Sequence, residues 1–591
     1  MNLFDVIDRE ERSNMTWSPK EPPCLDGIHE IELDTETDGL EWHEDKRPIG
    51  ISIRLPNGKC QYIPWGHHGG GNLDEATVKR WAQRELRGKH ITNINTRFDI
   101  HMLREWGCDL EEQGNTVGDV GHYAALLDDN RKRFSLDILG KDFLGRGKKN
   151  NNIVGAKIFE YHAGQIAEYA EEDVRLVGEL KHVFRPLLDI QDLNRVKDLE
   201  DNLIYPVCEM EKNAAVIDQS LLKDWCVASE SALDQCLLDI AKDTGFQMNP
   251  DKSSDWVRLF RLYNIPITHF TETGAPSFLD VFLKRIEHPT IKLARRAGKL
   301  ASLRSKFLIA YSKVLDSHGL LRYSLHQLRM DDGGTVSGRF SCSNVNIQQV
   351  MAVAKQIEAF GSDEFLVRKL FIPANGLFLS ADARQIEYRI FASYSGSPKI
   401  LAAYAKDPDT DFHNIVMELV RQVKKDIQRK RTKDLNFAFI FGAGRSKMSE
   451  MLELPRNESD QLVDAYNRMF PEVPVLLRKA SELAKVRGYV KTVMGRRARF
   501  PNGERAHKAL NAVIQGSAAD IMKTKLVELH KERKNTNLVL RFTVHDEVDG
   551  DVPDKESAEK VTEILNTQSF PGLKVPILWD VQTGHNWAEC K

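Results

Sequence analysis

The hydrophobic pattern changes character once along the chain, near residues 187–195, and this change most constrains the fold. Before it, HEIELDTETDGL, ISIRLP and GKCQYIPW are short strand-like runs broken by Gly, Pro and Asn, with helical patterns at LDEATVKRWAQREL and GQIAEYAEEDVRLVGELKHVF. After it come long helical patterns such as SLLKDWCVASESALDQCLLDIAKD, and strand signals return at 377–382 and 538–553. The expected class is therefore α/β followed by α+β, in several domains, and 591 residues suffice for about three to five full-sized cores. No run of about 18 apolar residues occurs, so no membrane span is expected. The first residues, MNLFDVIDREERSNM, lack the basic and apolar regions of a signal peptide. The eight cysteines are scattered without a CxxC pair and are expected as free thiols in a reducing compartment.

Net charge is only −3, but it is segregated. Residues 292–339, 421–447 and 485–508 each carry +7, which leaves −24 on the remainder. Such segregation steers a polyanion to one surface of a nearly neutral chain.

Asp34 and Glu36 lie two apart in a strand-like run and so share a face. Asn95-Thr96-Arg97-Phe98-Asp99 supplies a third carboxylate, and Tyr169 and Asp173 lie four apart on one helical face. Four converging acids repel unless cations neutralise them, as in a two-metal phosphodiester site, and Mg²⁺ suits carboxylate and water ligands. The ordered set resembles the three motifs of the DEDD exonuclease superfamily in its Tyr variant. That resemblance implies an RNase H-like domain with 3′→5′ exonuclease activity, in which Asp34, Glu36, Asp99 and Asp173 hold two Mg²⁺ ions and Tyr169 orients the attacking water. Asp119 has a supporting place.

In LFLSADARQIEYRIF (377–391) an apolar strand delivers Asp382 at its end. In 538–552 two strand-like runs flank His545-Asp546-Glu547, which reads as a β-hairpin with acids at its turn. Between them Arg429, Lys433, Phe437 and Phe441 recur every four residues, one stripe with cations first and aromatics after. A nucleoside triphosphate has the same polarity, phosphates first and base last.

These stretches resemble family A DNA polymerases. DARQIEYR is similar to motif A, RKRTKDLNFAFIFG to motif B and VHDE to motif C; SGRFSCSNVNIQQV, GYVKTVMGRR, NAVIQGSAADIMK and GHNW add further matches in the family's order. The resemblance implies a right-hand polymerase domain over 191–591, with a thumb at about 206–325, a palm at about 326–411 and 525–591, and fingers at about 412–524, behind an exonuclease domain at 1–190. It further implies that Asp382, Asp546 and the backbone carbonyl of Ala383 hold two Mg²⁺ ions, for which Mn²⁺ can substitute. Arg429, Lys433 and His413 are then phosphate contacts, with Lys433 a general acid toward pyrophosphate. Glu387 excludes the 2′-hydroxyl, Phe437 disfavours dideoxynucleotides, and Phe441 completes the nucleotide-binding helix. Arg339, Asn511, Gln515 and His545 touch primer or template, and Glu547 is a secondary acid.

Ala383-Arg384, Tyr388, Ala438, Phe441 and His507 depart from the bacterial pattern, and none of them removes a metal-ligand carboxylate. The expected partners are primer-template DNA and dNTPs, with room for a processivity factor, and the expected state is a monomer in the cytoplasm, that of a bacterial host if the chain is phage-encoded. The expected function is template-directed DNA synthesis with proofreading, of the phage replicative type. Its rival is a 3′→5′ nuclease whose C-terminal region only binds DNA.

Overall fold

The computed structural model describes residues 17–148, 155–271, 273–316, 318–331, 333–360, 362–421, 429–440, 443–452 and 454–590. The first unit is built on five strands, β1 (Glu30–Thr37), β2 (Pro48–Arg54), β3 (Cys60–Pro64), β4 (His90–Asn93) and β5 (Thr116–Asp119). Their order is β3-β2-β1-β4-β5. The β1–β2 and β2–β3 pairs are antiparallel, whereas β1–β4 and β4–β5 are parallel. Ile31, Leu33, Ile51, Ile53, Ile91 and Val117 fill one core of this unit. The strands β4 and β5 escape the period-2 signal because each has only four residues, too few to alternate visibly.

Helix α1 (Thr96–Glu105) follows β4, and the long α2 (Ala163–Ile190) starts at a capping box formed by His162 and Gln165. Only three residues separate α2 from α3 (Asn194–Asn213). The change in sequence pattern falls at this turn, yet α3 serves both halves. Ile204 and Cys208 enter the first unit's core, while Leu199, Leu203, Val207 and Met210 enter the large second core. Two apolar stripes on one helix bury it between two partners.

In the second unit α4 (Gln219–Thr244) and α5 (Pro289–Leu303) share a small separate core through Cys236, Ile240, Ala294, Ala297 and Leu300. The large core surrounds the strands β6 (Leu377–Ala383), β9 (Val539–Val544), β10 (Glu547–Val552) and β11 (Trp579–Gly584). They form an antiparallel sheet in the order β9-β10-β6-β11. A hairpin of β7 (Tyr489–Lys491) and β8 (Arg497–Arg499) stands apart from it. The helices that flank the sites are α6 (Ile386–Ser395), α7 (Phe412–Arg421), α8 (Arg429–Ile440) and α9 (Ala509–Lys531).

Buried polar contacts join the two units. Glu200 on α3 is fully buried and meets Arg496 at 2.5 Å and Lys523 at 2.7 Å, while Arg496 also reaches Asp520 at 2.8 Å. Burial opposes the Glu200 charge, but Lys523 and Arg496 outweigh it and hold the carboxyl at about 2. His530 on α9 meets Glu111 of the first unit at 2.8 Å and also pairs with Glu209 of α3. Among the described residues no helix is long and apolar enough to cross a membrane. The eight cysteines are all free thiols, as their spacing suggests.

Candidate active sites

The first site is organised by the end of β6. Leu379, Ala381 and Ala383 are fully buried and fix the strand in the core, which leaves Asp382 on the opposite face at its C-terminal end. Asp382 stands opposite Glu547 on one side and Asp580 on the other. Between β9 and β10 the chain turns in two residues, His545 and Asp546. His545 has φ 58°, the left-handed value such tight hairpin turns favour. The Ala383 N–H donates to the Asp546 carbonyl at 3.0 Å, which sews this turn to the end of β6.

The acids therefore crowd. Burial, then the charges of Asp546, Glu547 and Asp580, push the Asp382 carboxyl up to about 7, and burial also raises Asp546. Glu547 has its own cation. Arg368 meets it at 3.0 Å and lies 3.9 Å from the Trp587 ring centroid. Among the described residues no Lys or Arg pairs with Asp382 or Asp546. Among the described residues no three acids of this centre come within 4.8 Å of one another, so Asp382 and Asp546 fit a hard divalent cation that takes its other ligands from water or substrate.

Beside it, α6 begins after Gln385, whose φ is 48°. Glu387 in its first turn is ion-paired with Arg339. Tyr388 packs on Phe412 at 5.4 Å and on the His413 ring at 4.4 Å. His413 is buried and contacts the Asn436 amide at 3.0 Å; burial, with Arg429 and Lys433 nearby, lowers its pKa to about 4. Arg429 donates to Asp411 at 2.5 Å and to Asn414 at 3.2 Å, and Lys433 is exposed on α8. The side chain of Phe437 and the whole of Phe441 lie outside the described residues. On α9, Asn511 and Gln515 line a cleft of about 360 Å³ with Arg497, Arg505 and Lys508.

The second site lies on the first sheet. Carboxylate oxygens of Asp34, Glu36 and Asp173 come within 4.8 Å of one another. Asp99 joins through Asn93, whose amide donates to Asp34 at 2.8 Å and to Asp99 at 2.7 Å. The Thr35 N–H and hydroxyl hold the other Asp99 oxygen at 3.0 and 2.7 Å. Burial, then the neighbouring acids, push Glu36 and Asp99 well above the usual carboxylate range and Asp173 up to about 7; burial also raises Asp34. Glu36 Oε1 and Asp173 Oδ1 are buried without a hydrogen-bond partner. Orphaned carboxylate oxygens in such a cluster fit a divalent cation. Lys148 Nζ reaches Asp173 Oδ2 at 2.6 Å and Tyr169 OH at 3.5 Å. Asp119 does not join the cluster through these bonds. Its side chain caps the helix Val120–Leu127 and accepts from the Thr96 N–H at 3.0 Å, which fixes the start of α1.

Sequence reasoning missed Asn93, Lys148 and Arg368. The only signal for Lys148 was the short basic run GRGKK, and Asn93 and Arg368 carry no local pattern.

The family described as DNA polymerase family A matches residues 227–589. A DNA polymerase DpoZ of Salmonella phage PMBT28 is 29% identical over 631 residues, spanning 96% of this chain and 98% of that protein. DNA polymerase I of Pseudomonas aeruginosa is 26% identical, over 99% of this chain and 66% of its own length. Among solved structures, one described as the POL domain of Pol1 from M. smegmatis in complex with DNA primer-template and dNTP superposes with a TM-score of 0.80. It is 22% identical and covers 97% of this chain and 99% of that one. With its acids at the end of β6 and in the β9–β10 turn, the chain belongs to DNA polymerase family A and is a DNA-directed DNA polymerase.

Proposed function

We propose that this polymerase extends a primer at the Asp382–Asp546 centre and trims it at the Asp34–Glu36–Asp99–Asp173 centre, with Mg²⁺ held by the carboxylates of each and Mn²⁺ able to replace it. The substrates are primer-template DNA and dNTPs. The relative from M. smegmatis, described in complex with the same two, supports this. The observation that carries the synthetic centre is the Ala383–Asp546 backbone bond, which keeps two acids 164 positions apart in register. For the trimming centre it is the set of three carboxylates within 4.8 Å, two of them with an orphaned oxygen.

When bound, divalent cations at such centres lower the pKa of the attacking hydroxyl or water and stabilise the leaving oxygen. The remaining work falls to side chains. Arg429, Lys433 and His413 orient the triphosphate, and Lys433 Nζ donates a proton to the leaving pyrophosphate. His413, its pKa lowered to about 4 by burial, is neutral before the triphosphate binds. Glu387, held by Arg339, stands against a 2′-hydroxyl. Asn511 and Gln515 with their basic cleft, together with His545 and Arg339, hold template and primer through contacts that carry no sequence preference. At the second centre Tyr169 orients the attacking water. The phage relatives support a replicative role. The enzyme exercises it as a monomer in the cytoplasm of a host, with room for a processivity factor.

Two variants test the division of labour. Asp546→Ala is expected to abolish primer extension while degradation of single strands persists; extension that survives refutes the Asp382–Asp546 assignment. Asp34→Ala with Glu36→Ala is expected to abolish degradation alone, and loss of synthesis in its place would overturn the two-centre scheme.

A further inference from the structure

The trimming centre contains a cation of the protein's own. Lys148 follows the helix Leu136–Leu144 after Gly145-Arg146-Gly147. Its backbone N–H donates to Asp137 Oδ1 at 3.0 Å. Gly147 permits this approach, because a Cβ there would lie 2.1 Å from the same oxygen. Arg146 turns the other way, onto Glu172 and onto Glu179 at 2.6 Å. The two cations of one short turn thus hold α2 from two directions. The Lys148 ammonium lies 5.1 Å from the Tyr169 ring centroid and ends 2.6 Å from Asp173 Oδ2. Asp173 is one of the three acids whose oxygens converge, and its other oxygen has no partner.

The synthetic centre is built differently. Arg368 neutralises Glu547, but among the described residues no Lys or Arg pairs with Asp382 or Asp546. An ammonium on a carboxylate and a divalent cation compete for the same oxygen and repel each other at short range.

We propose that Lys148 is the resident counter-cation of the trimming centre: it holds Asp173 in the ion-free protein and must yield that oxygen before a divalent cation is bound. This rests on the exonuclease assignment above. It follows that Lys148 raises the divalent-ion concentration at which trimming begins, whereas among the described residues no ammonium or guanidinium sits on an Asp382 or Asp546 oxygen. The ammonium thereby biases the enzyme toward synthesis when divalent ions are scarce.

The test is Mn²⁺ binding to the full-length protein, read by electron paramagnetic resonance of free Mn²⁺, in a background carrying Asp382→Asn and Asp546→Asn. Lys148→Met is expected to tighten binding by roughly tenfold, a factor worth about 1.4 kcal/mol. Lys148→Gln is expected to follow it, and Lys148→Arg, which keeps the charge, to stay within about twofold of the parent. The Mn²⁺ midpoint for single-strand degradation is expected to move in the same order. Unchanged or weaker binding in the Met and Gln variants overturns the proposal, as does an Arg variant that shifts as far as they do. Mn²⁺ binding that survives Asp34→Ala with Glu36→Ala refutes the exonuclease centre itself. Binding lost there but indifferent to Lys148→Met refutes only the counter-cation.

Discussion

The Ala383 N–H and the Asp546 carbonyl meet at 3.0 Å. This bond ties the last residue of β6 to the turn of the β9–β10 hairpin, so the main chains that carry the two acids are held side by side. Ala383→Pro removes the donor and sets its ring against the Asp546 carbonyl without deleting any carboxylate. It is expected to lower the rate of nucleotide incorporation by roughly tenfold or more with DNA affinity retained, measured by single-turnover extension and a gel-shift titration. A variant that extends at the parent rate would separate the bond from catalysis.

Glu387 and Arg339 are ion-paired beside the same centre. If Glu387 stands against a 2′-hydroxyl as proposed, Glu387→Ala removes both that block and the partner that fixes Arg339. The ratio of ribonucleotide to deoxyribonucleotide incorporation is expected to rise by roughly tenfold to a hundredfold, the range for loss of one steric contact. Steady-state kinetics with paired dNTP and rNTP substrates provides the comparison.

Arg429 is tethered to Asp411 and Asn414. If it binds the triphosphate, Arg429→Ala should raise KM for dNTP by roughly tenfold or more, the worth of one charge-assisted hydrogen bond, while single-strand degradation is untouched. An unchanged KM would remove Arg429 from the phosphate site.

The contact between His530, Glu111 and Glu209 predicts a pH dependence. Burial opposes the imidazolium, but hydrogen bonds to the two acids outweigh it and raise the pKa above the ordinary 6.5. A raised pKa stabilises the folded state fully below about pH 6.5 and progressively less as pH climbs through the folded value. The thermal midpoint of His530→Gln is therefore expected below the parent's at pH 6, with the gap closing at pH 9. The full gap corresponds to about 1.5–3 kcal/mol. A gap that stays constant with pH would assign the contact to packing alone.

Arg496 lies between Glu200 and Asp520, all three buried. Arg496→Met leaves two buried acids facing one lysine and is expected to cost about 3–5 kcal/mol. Adding Glu200→Gln is expected to restore part of the loss, and a double-variant cycle on thermal midpoints measures how much.

The elements that proved legible were those with a strong local period. The alternation of Leu538, Leu540, Phe542 and Val544 announced the β9–β10 hairpin, and the apolar run before Asp382 announced β6. Asp34, Glu36 and Asp173 were legible because their neighbours carry strand and helix patterns. The four-residue strands β4 and β5 carried too few residues to show a period, and Asn93 at the end of β4 was lost with them. Helix α3 was read as belonging to one side because its two apolar stripes sum to a single hydrophobic pattern.

Local sequence thus determined which segments form strands and helices, where the chain changes architecture, and which acids stand near strand ends, since backbone periodicity is set by near neighbours. Tertiary structure alone decided the counter-charges. Lys148 on Asp173, Arg368 on Glu547, Arg339 on Glu387 and the Glu200–Arg496–Lys523 cluster each join residues at least 25 positions apart. Electrostatic partners are chosen by distance in space, which no spacing along the chain encodes.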